Sequence, residues 1–116
     1  MKFTRFEEII AWQKSKELSL LIYKEFKNCR DYGFKDQIQR ATISIMNNIA
    51  EGYERNSNKE FRNFLFISKG SSGEVRSMLY ISKDLNYISN PVFIDLNNRV
   101  FEISKIISGL IKSLRI

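Results

Sequence analysis

Apolar residues recur along this chain at steps of three and four, which is the period of one face of an α-helix. No low-complexity tract or linker interrupts the 116 residues, so we predict a single domain over residues 1–116. Long helices joined by short connections favour an all-α fold, an up-down antiparallel four-helix bundle. The predicted helices cover residues 10–27, 34–53, 58–85 and 91–114.

The residues between these segments carry helix-boundary signals. Gly52 is expected near the end of the second helix, because glycine easily takes the left-handed conformation found there. Ser57 and Glu60 have the spacing of a capping box at the start of the third helix. Asn90 before Pro91 predicts the start of the fourth helix, with Asn90 as the N-cap and Pro91 at the first helical position.

Each helix has an apolar face that we expect to be buried. The faces of the first and fourth helices consist of Ala11, Ser15, Leu18, Ile22 and Phe26, and of Phe93, Leu96, Val100, Ile103, Ile107, Leu110 and Leu114. The third helix has two such stripes, and both have the pattern of a core. The Phe64 stripe consists of Phe64, Ile67, Ser71, Glu74, Met78, Ile81 and Leu85. The Phe61 stripe consists of Phe61, Leu65, Ser68, Ser72, Val75, Leu79 and Ser82.

The segment from Arg40 to Gly52 is apolar on nearly every side except for one polar line. A helix of this kind must be covered over most of its circumference. Three neighbouring helices in a domain of this size give incomplete cover. The segment therefore predicts that the chain associates with copies of itself.

The third helix contains Gly70-Ser71-Ser72-Gly73, where glycine costs about 1 kcal/mol per residue relative to alanine. One interpretation is the close approach of a neighbouring helix backbone. The other is a phosphate-binding loop, which would need a following Gly-Lys-Ser/Thr and a preceding strand that this sequence lacks. We therefore favour close helix packing.

Glu74 lies in the middle of the Phe64 stripe, and a buried carboxylate needs partners. The second helix offers the polar line Arg40, Ser44, Asn48, Glu51 and Arg55. An acid/base pair of Glu51 and Glu74 is the catalytic alternative, but no nucleophile or metal site accompanies it. We therefore expect no catalytic residues, and a structural network of Arg40, Asn48, Glu51, Ser71 and Glu74.

The amino-acid composition argues against several classes of site and location. The chain has no histidine, so it lacks the commonest general base and the usual zinc ligand, and we expect no metal or cofactor. A single cysteine and the lack of a leader pattern favour the cytoplasm. No apolar run approaches the ~20 residues that span a bilayer. The net charge of +6 favours acidic partners.

The last face of the third helix alternates cations and rings: Arg62, Phe66, Lys69, Gly73, Arg76, Tyr80, Lys83 and Tyr87. Its cations recur every seven residues, roughly 10 Å apart along the axis. Such a face suits nucleic acid, because cations neutralise phosphates and rings stack on bases. A solvated face or a subunit interface is the structural alternative. The predicted nucleic-acid-binding residues are Arg62, Lys69, Arg76, Lys83, Lys105 and Lys112.

Two motifs resemble those of a known family. They are Ala11-Trp12-Gln13-Lys14 followed by Gln37-Ile38-Gln39-Arg40-Ala41 and Asn48-Ile49-Ala50-Glu51-Gly52, and Gly70-Ser71-Ser72-Gly73-Glu74-Val75. The family is the four-helix-bundle proteins encoded in bacterial 23S rRNA intervening sequences, and the likeness covers nearly the whole chain. Met46 stands where that pattern usually has proline, so a kink in the second helix is expected to be weaker.

This resemblance implies a bundle that assembles as a ring-like homopentamer and has no known enzymatic activity. It also implies a relation to the accessory protein of diversity-generating retroelements, a basic pentamer that binds nucleic acid and a reverse transcriptase. No motif carries that role onto particular residues here. We therefore expect a non-enzymatic oligomer that binds RNA or an RNA-containing complex through a basic surface, with DNA, a reverse transcriptase or another protein as further candidate partners. The alternative is a protein-interaction scaffold without nucleic-acid binding.

Overall fold

The computed structural model describes residues 3–116. A single turn of 3-10 helix, Phe6–Glu8, precedes four α-helices: α1 (Ile10–Glu25), α2 (Tyr32–Glu54), α3 (Asn58–Asp84) and α4 (Asn90–Ser113). The described residues contain no β-strand, and the molecule measures 44 × 21 × 19 Å. The all-α prediction with four helices is confirmed.

The helices begin where polar side chains cap them. Asp31 Oδ1 accepts a hydrogen bond from the Phe34 amide at 3.3 Å, so α2 starts two residues earlier than predicted. Ser89 Oγ accepts from the Val92 amide at 3.4 Å, which makes Ser89 the N-cap of α4. The prediction of Asn90 as N-cap is therefore wrong, and Asn90 is the first helical residue.

The connection between α2 and α3 also differs from the prediction. Helix α2 continues through Gly52, and the left-handed residue after it is Asn56, with φ of 57°. Ser57 Oγ accepts from the Glu60 amide at 3.4 Å, but the Glu60 carboxylate contacts Arg55 at 3.4 Å. One half of the predicted capping box is present, and the predicted C-terminal role of Gly52 is wrong.

Gly52 instead lets α2 approach α3 closely. A Cβ atom at Gly52 would lie 2.5 Å from Phe64 Cβ and 3.1 Å from Phe61 Cδ1. At Gly70 and Gly73 an added Cβ would meet nothing within 4 Å, since both glycines are exposed. The prediction of close helix packing at Gly70 and Gly73 is wrong for the single chain, and the close approach occurs at Gly52.

Consecutive helices pack side by side, and α1 also packs against α4. Along α2 and α3 the order of contacts is reversed: Gly52 meets Phe64, and Ser68 Oγ donates to the Ile45 carbonyl at 2.7 Å. These two helices are therefore antiparallel. Asn58 Nδ2 donates to the Arg115 carbonyl at 3.0 Å, which places the start of α3 beside the end of α4.

The core contains the predicted faces of α1 and α4, except that Leu110 and Leu114 are only half-buried. The whole Phe61 stripe is buried. In the Phe64 stripe Met78 is buried, but Ile67 is 52% and Ile81 49% exposed. The prediction that both stripes of α3 are core is therefore wrong for the Phe64 stripe, because α3 has neighbours only on its α2 and α4 sides.

Helix α2 keeps apolar surface as well. Its inner face is buried against the other helices, whereas Ile43, Met46 and Ala50 are half-buried. The single chain therefore leaves part of the apolar circumference of α2 only half-covered.

Candidate nucleic-acid interface

Six cations line the side of the bundle formed by α3 and α4, and we call them the basic face. They are Arg62, Lys69, Arg76 and Lys83 of α3, and Lys105 and Lys112 of α4. Within residues 3–116, none of the six has a carboxylate oxygen within 4.0 Å. Their charges are therefore not neutralised by the chain's own acids.

Four cations outside the basic face are paired with carboxylates in the described part of the chain. The ion pairs are Lys14 with Glu102 at 3.2 Å, Arg40 with Asp36 at 2.9 Å, Arg55 with Glu51 at 2.8 Å and with Glu60 at 3.4 Å, and Arg99 with Asp95 at 3.1 Å and also with Glu17. The hydrogen bond to Glu51 raises the pKa of Arg55, and those to Glu17 and Asp95 raise the pKa of Arg99. The six carboxylates that form ion pairs in residues 3–116 therefore all contact cations outside the basic face.

Phe101 joins the two helices of the basic face. Its ring centroid lies 4.9 Å from the guanidinium carbon of Arg76 on α3 and 4.9 Å from Nζ of Lys105 on α4. Cations at this distance are attracted by the ring quadrupole. The sequence interpretation missed Phe101, although its spacing of four from Lys105 and eleven from Lys112 places all three on one side of α4.

A second ring cluster lies toward the other end of the face. Nζ of Lys83 is 4.7 Å from the Phe93 ring centroid and 5.8 Å from that of Tyr80. The two rings meet edge to face with centroids 5.0 Å apart. Phe93 is buried, so the cluster anchors Lys83 to the core while Tyr80 stays exposed.

Three rings on this side are exposed: Phe66 by 54%, Tyr80 by 47% and Phe101 by 45%. Phe66 lies between Arg62 and Lys69 on α3, at helical spacings of four and three. Among the described residues, no other ring or cation packs against Phe66. The basic face thus combines unpaired cations with accessible aromatic surface.

Only part of the predicted polar network comes together. Ser44 and Ser71 join α2 to α3 through their hydroxyls, 2.9 Å apart, and Asn48 Nδ2 donates to Ser44 Oγ at 2.9 Å. Glu74 is exposed. The expectation that the Glu74 carboxylate is buried within the bundle is therefore wrong for the single chain.

The remaining members of that prediction pair elsewhere. Arg40 binds Asp36 and is 80% exposed at its side chain, and Glu51 binds Arg55. A shallow pocket on the outer surface of α2 includes Glu51 but not Glu74. The two carboxylates do not share a cleft in the described residues. No group of three or more potential metal-ligating side chains occurs in residues 3–116.

None of the helices in residues 3–116 combines the length and the apolar character needed to cross a bilayer. The sequence profile of the 23S rRNA-intervening sequence protein matches residues 7–109. The chain belongs to this family. The predicted relation to the accessory protein of diversity-generating retroelements stays a prediction.

Two further proteins are similar to this member of the family. One is a crystal structure of a protein of unknown function from the S23 ribosomal protein family of Bacteroides thetaiotaomicron. It is 28% identical, has a TM-score of 0.83, and the match covers 90% of this chain and 100% of that chain. The other is a cysteine–tRNA ligase of Mycoplasmopsis pulmonis, 25% identical over 109 residues. That match covers 89% of this chain but only 18% of the ligase.

Proposed function

We propose that this protein is a non-enzymatic RNA-binding protein that contacts RNA through the basic face. The observation that carries the proposal is the placement of six cations on one side of the bundle, around rings of α3 and α4, with no carboxylate within 4.0 Å of any of the six in residues 3–116. A cation already paired with a carboxylate must give up that contact to bind a phosphate. A cation without such a partner binds the phosphate and releases the nucleic acid's counterions, which favours association.

Two names agree with RNA as the ligand. The family is named for an intervening sequence of 23S rRNA, and the relative from Mycoplasmopsis pulmonis is a ligase named for tRNA. The chain spans less than a fifth of that ligase, so its activity is not transferred. The basic face has no recognition helix of a known docking motif, so we propose binding without strong sequence preference.

The proposal includes self-association. The exposed residues of the Phe64 stripe, Ile67, Ile81 and Leu85, and the half-buried residues of α2 are apolar surfaces that further copies of the chain would cover. We propose a ring of five chains, as the family resemblance implies. Five chains of charge +6 carry about +30, so symmetry turns a modest basic face into a large positive field.

The test is a salt titration of RNA binding by the full chain and by Lys69→Gln plus Lys105→Gln. Both lysines are exposed, one lies on each helix of the basic face, and glutamine keeps helix propensity while removing charge. Each lost phosphate contact lowers the slope of log affinity against log salt by about 0.7 for a single strand. Two lost contacts per chain therefore lower the slope by about 1.4, which corresponds to roughly tenfold weaker binding near physiological salt.

The matched control is Lys16→Gln plus Lys24→Gln, which removes the same charge from exposed positions of α1. We expect this variant to keep the slope of the unmodified protein. Equal slopes for the two double variants, with unchanged mass by light scattering, would contradict the role of the basic face. No binding of any RNA near physiological salt would favour a protein-interaction scaffold, whose partner could be a reverse transcriptase or another protein.

A further inference from the structure

Exposed rings are the part of the basic face that phosphate binding does not explain. Phe66, Tyr80 and Phe101 are each about half exposed, although neutralising phosphates requires only cations. We propose that the ligand is single-stranded RNA and that an unpaired base stacks on Phe66. This inference rests on the proposed function and specifies the kind of RNA that the basic face takes.

Phe66 is the ring best placed for stacking. Phe101 already contacts Arg76 and Lys105, and Tyr80 contacts the edge of Phe93. Phe66 has no such ring or cation partner in the described residues and is 54% exposed. Its aromatic surface is therefore free for a base.

The charges around Phe66 suit the backbone of the same strand. Arg62 precedes Phe66 by four residues and Lys69 follows it by three, so a cation lies on each side along the helix axis. Neither cation has a carboxylate within 4.0 Å among residues 3–116. A base on the ring would therefore have its flanking phosphates near two available cations.

The other rings extend this surface along the bundle. Phe66 and Tyr80 are fourteen residues apart on α3, which is roughly 21 Å along the helix axis. Phe101 lies between their levels, because it packs on Arg76. The rings and cations thus form a track along the bundle, a combination found in proteins that bind single strands.

A duplex would use this face less well. Its bases are paired and stacked inside, so it presents phosphates and sugars to the protein. The cations would still bind those phosphates, but no base would be free to stack on the Phe66 ring. We therefore expect the basic face to prefer a single strand to the duplex of the same sequence.

The experiment compares a mixed-sequence RNA oligonucleotide with the same strand annealed to its complement, by fluorescence anisotropy of the labelled strand. The unmodified protein should bind the single strand more tightly. Phe66→Leu should weaken single-strand binding by roughly 5- to 150-fold, the range found when a stacking ring is removed. It should leave duplex affinity unchanged within about twofold, since no base is available to stack.

The salt dependence separates stacking from charge. Phe66→Leu should keep the salt slope of the unmodified protein, because the ring neutralises no phosphate. Phe66→Tyr keeps a ring and should restore single-strand affinity. Tyr23→Leu, which removes a ring that is 46% exposed on α1, is the matched control and should have no effect.

The possible failures of the two proposals are distinct. Equal affinity for the two RNAs, together with no effect of Phe66→Leu, would overturn this inference while a steep salt slope still supported the proposed function. Equal weakening of both RNAs by Phe66→Leu would also overturn it. Absence of salt-dependent binding to either RNA would overturn the proposed function and this inference with it.

Discussion

Gly52→Ala tests the close packing of α2 on α3. The new Cβ would lie 2.5 Å from Phe64 Cβ, whereas ordinary contact begins at 3.4 Å, so the two helices must separate locally by about 0.9 Å. Phe64 Cβ is bonded directly to the backbone and cannot rotate away. We therefore place the cost at the upper end of the range for overpacking, about 3 kcal/mol.

Helix propensity opposes this cost. Alanine is favoured over glycine in a helix interior by up to about 1 kcal/mol, so the net loss for Gly52→Ala is about 2 kcal/mol. The matched control is Gly109→Ala in α4, where an added Cβ meets nothing within 4 Å. It should keep the propensity gain of up to about 1 kcal/mol.

Thermal unfolding followed by circular dichroism measures the difference. For a chain of 116 residues the unfolding entropy is about 0.24 kcal/mol per degree, so 1 kcal/mol shifts Tm by about 4 °C. We expect Gly52→Ala to melt roughly 8 °C below the unmodified protein and Gly109→Ala roughly 4 °C above it. All samples need one protein concentration, since assembly raises Tm. Gly52→Ala at or above the Tm of Gly109→Ala would refute the packing argument.

Three further variants test other features. Ser68→Ala removes the bond to the Ile45 carbonyl and should lower the free energy of unfolding by about 1 kcal/mol in urea titrations; an unchanged value would contradict its role. Ile67→Arg places a charge at an exposed position of the Phe64 stripe. By light scattering we expect a mass several times 13.7 kDa for the unmodified protein, and a lower mass with unchanged helix content for the variant. An unmodified protein that stays monomeric would refute self-association. Glu74→Ala should change the free energy of unfolding by less than about 0.5 kcal/mol, because the side chain is exposed; a loss of several degrees in Tm would show that another copy buries it.

Sequence periodicity predicted the elements and most of the core. The apolar residues of α1 and α4 repeat at helical spacing, and a helix with one apolar face packs that face against the core of the bundle. The Phe64 stripe has the same repeat, yet Ile67 and Ile81 are exposed. Periodicity shows that a helix face is apolar, but it does not show whether that face is buried within the same chain or against another copy.

Polar contacts were harder to predict than apolar faces. Glu51 and Arg40 were expected in one network, but each found a partner four residues away on its own helix. Such local pairs cost little chain entropy to form and compete with contacts between helices. Spacing alone was enough to place the cations of α3 on one face of that helix. Phe101 was missed because its importance depends on how α3 packs against α4.

The close packing of α2 on α3, through Gly52 and the Ser68 hydroxyl, limits how this bundle can respond to a ligand. Sliding one helix by a turn, about 5.4 Å, would take the Ser68 hydroxyl away from the Ile45 carbonyl. It would also move Phe64 away from Gly52, where the lack of a side chain admits its close approach. A signal carried by helix sliding is therefore disfavoured at this pair. We therefore expect α2 and α3 to keep their relative position when a ligand binds.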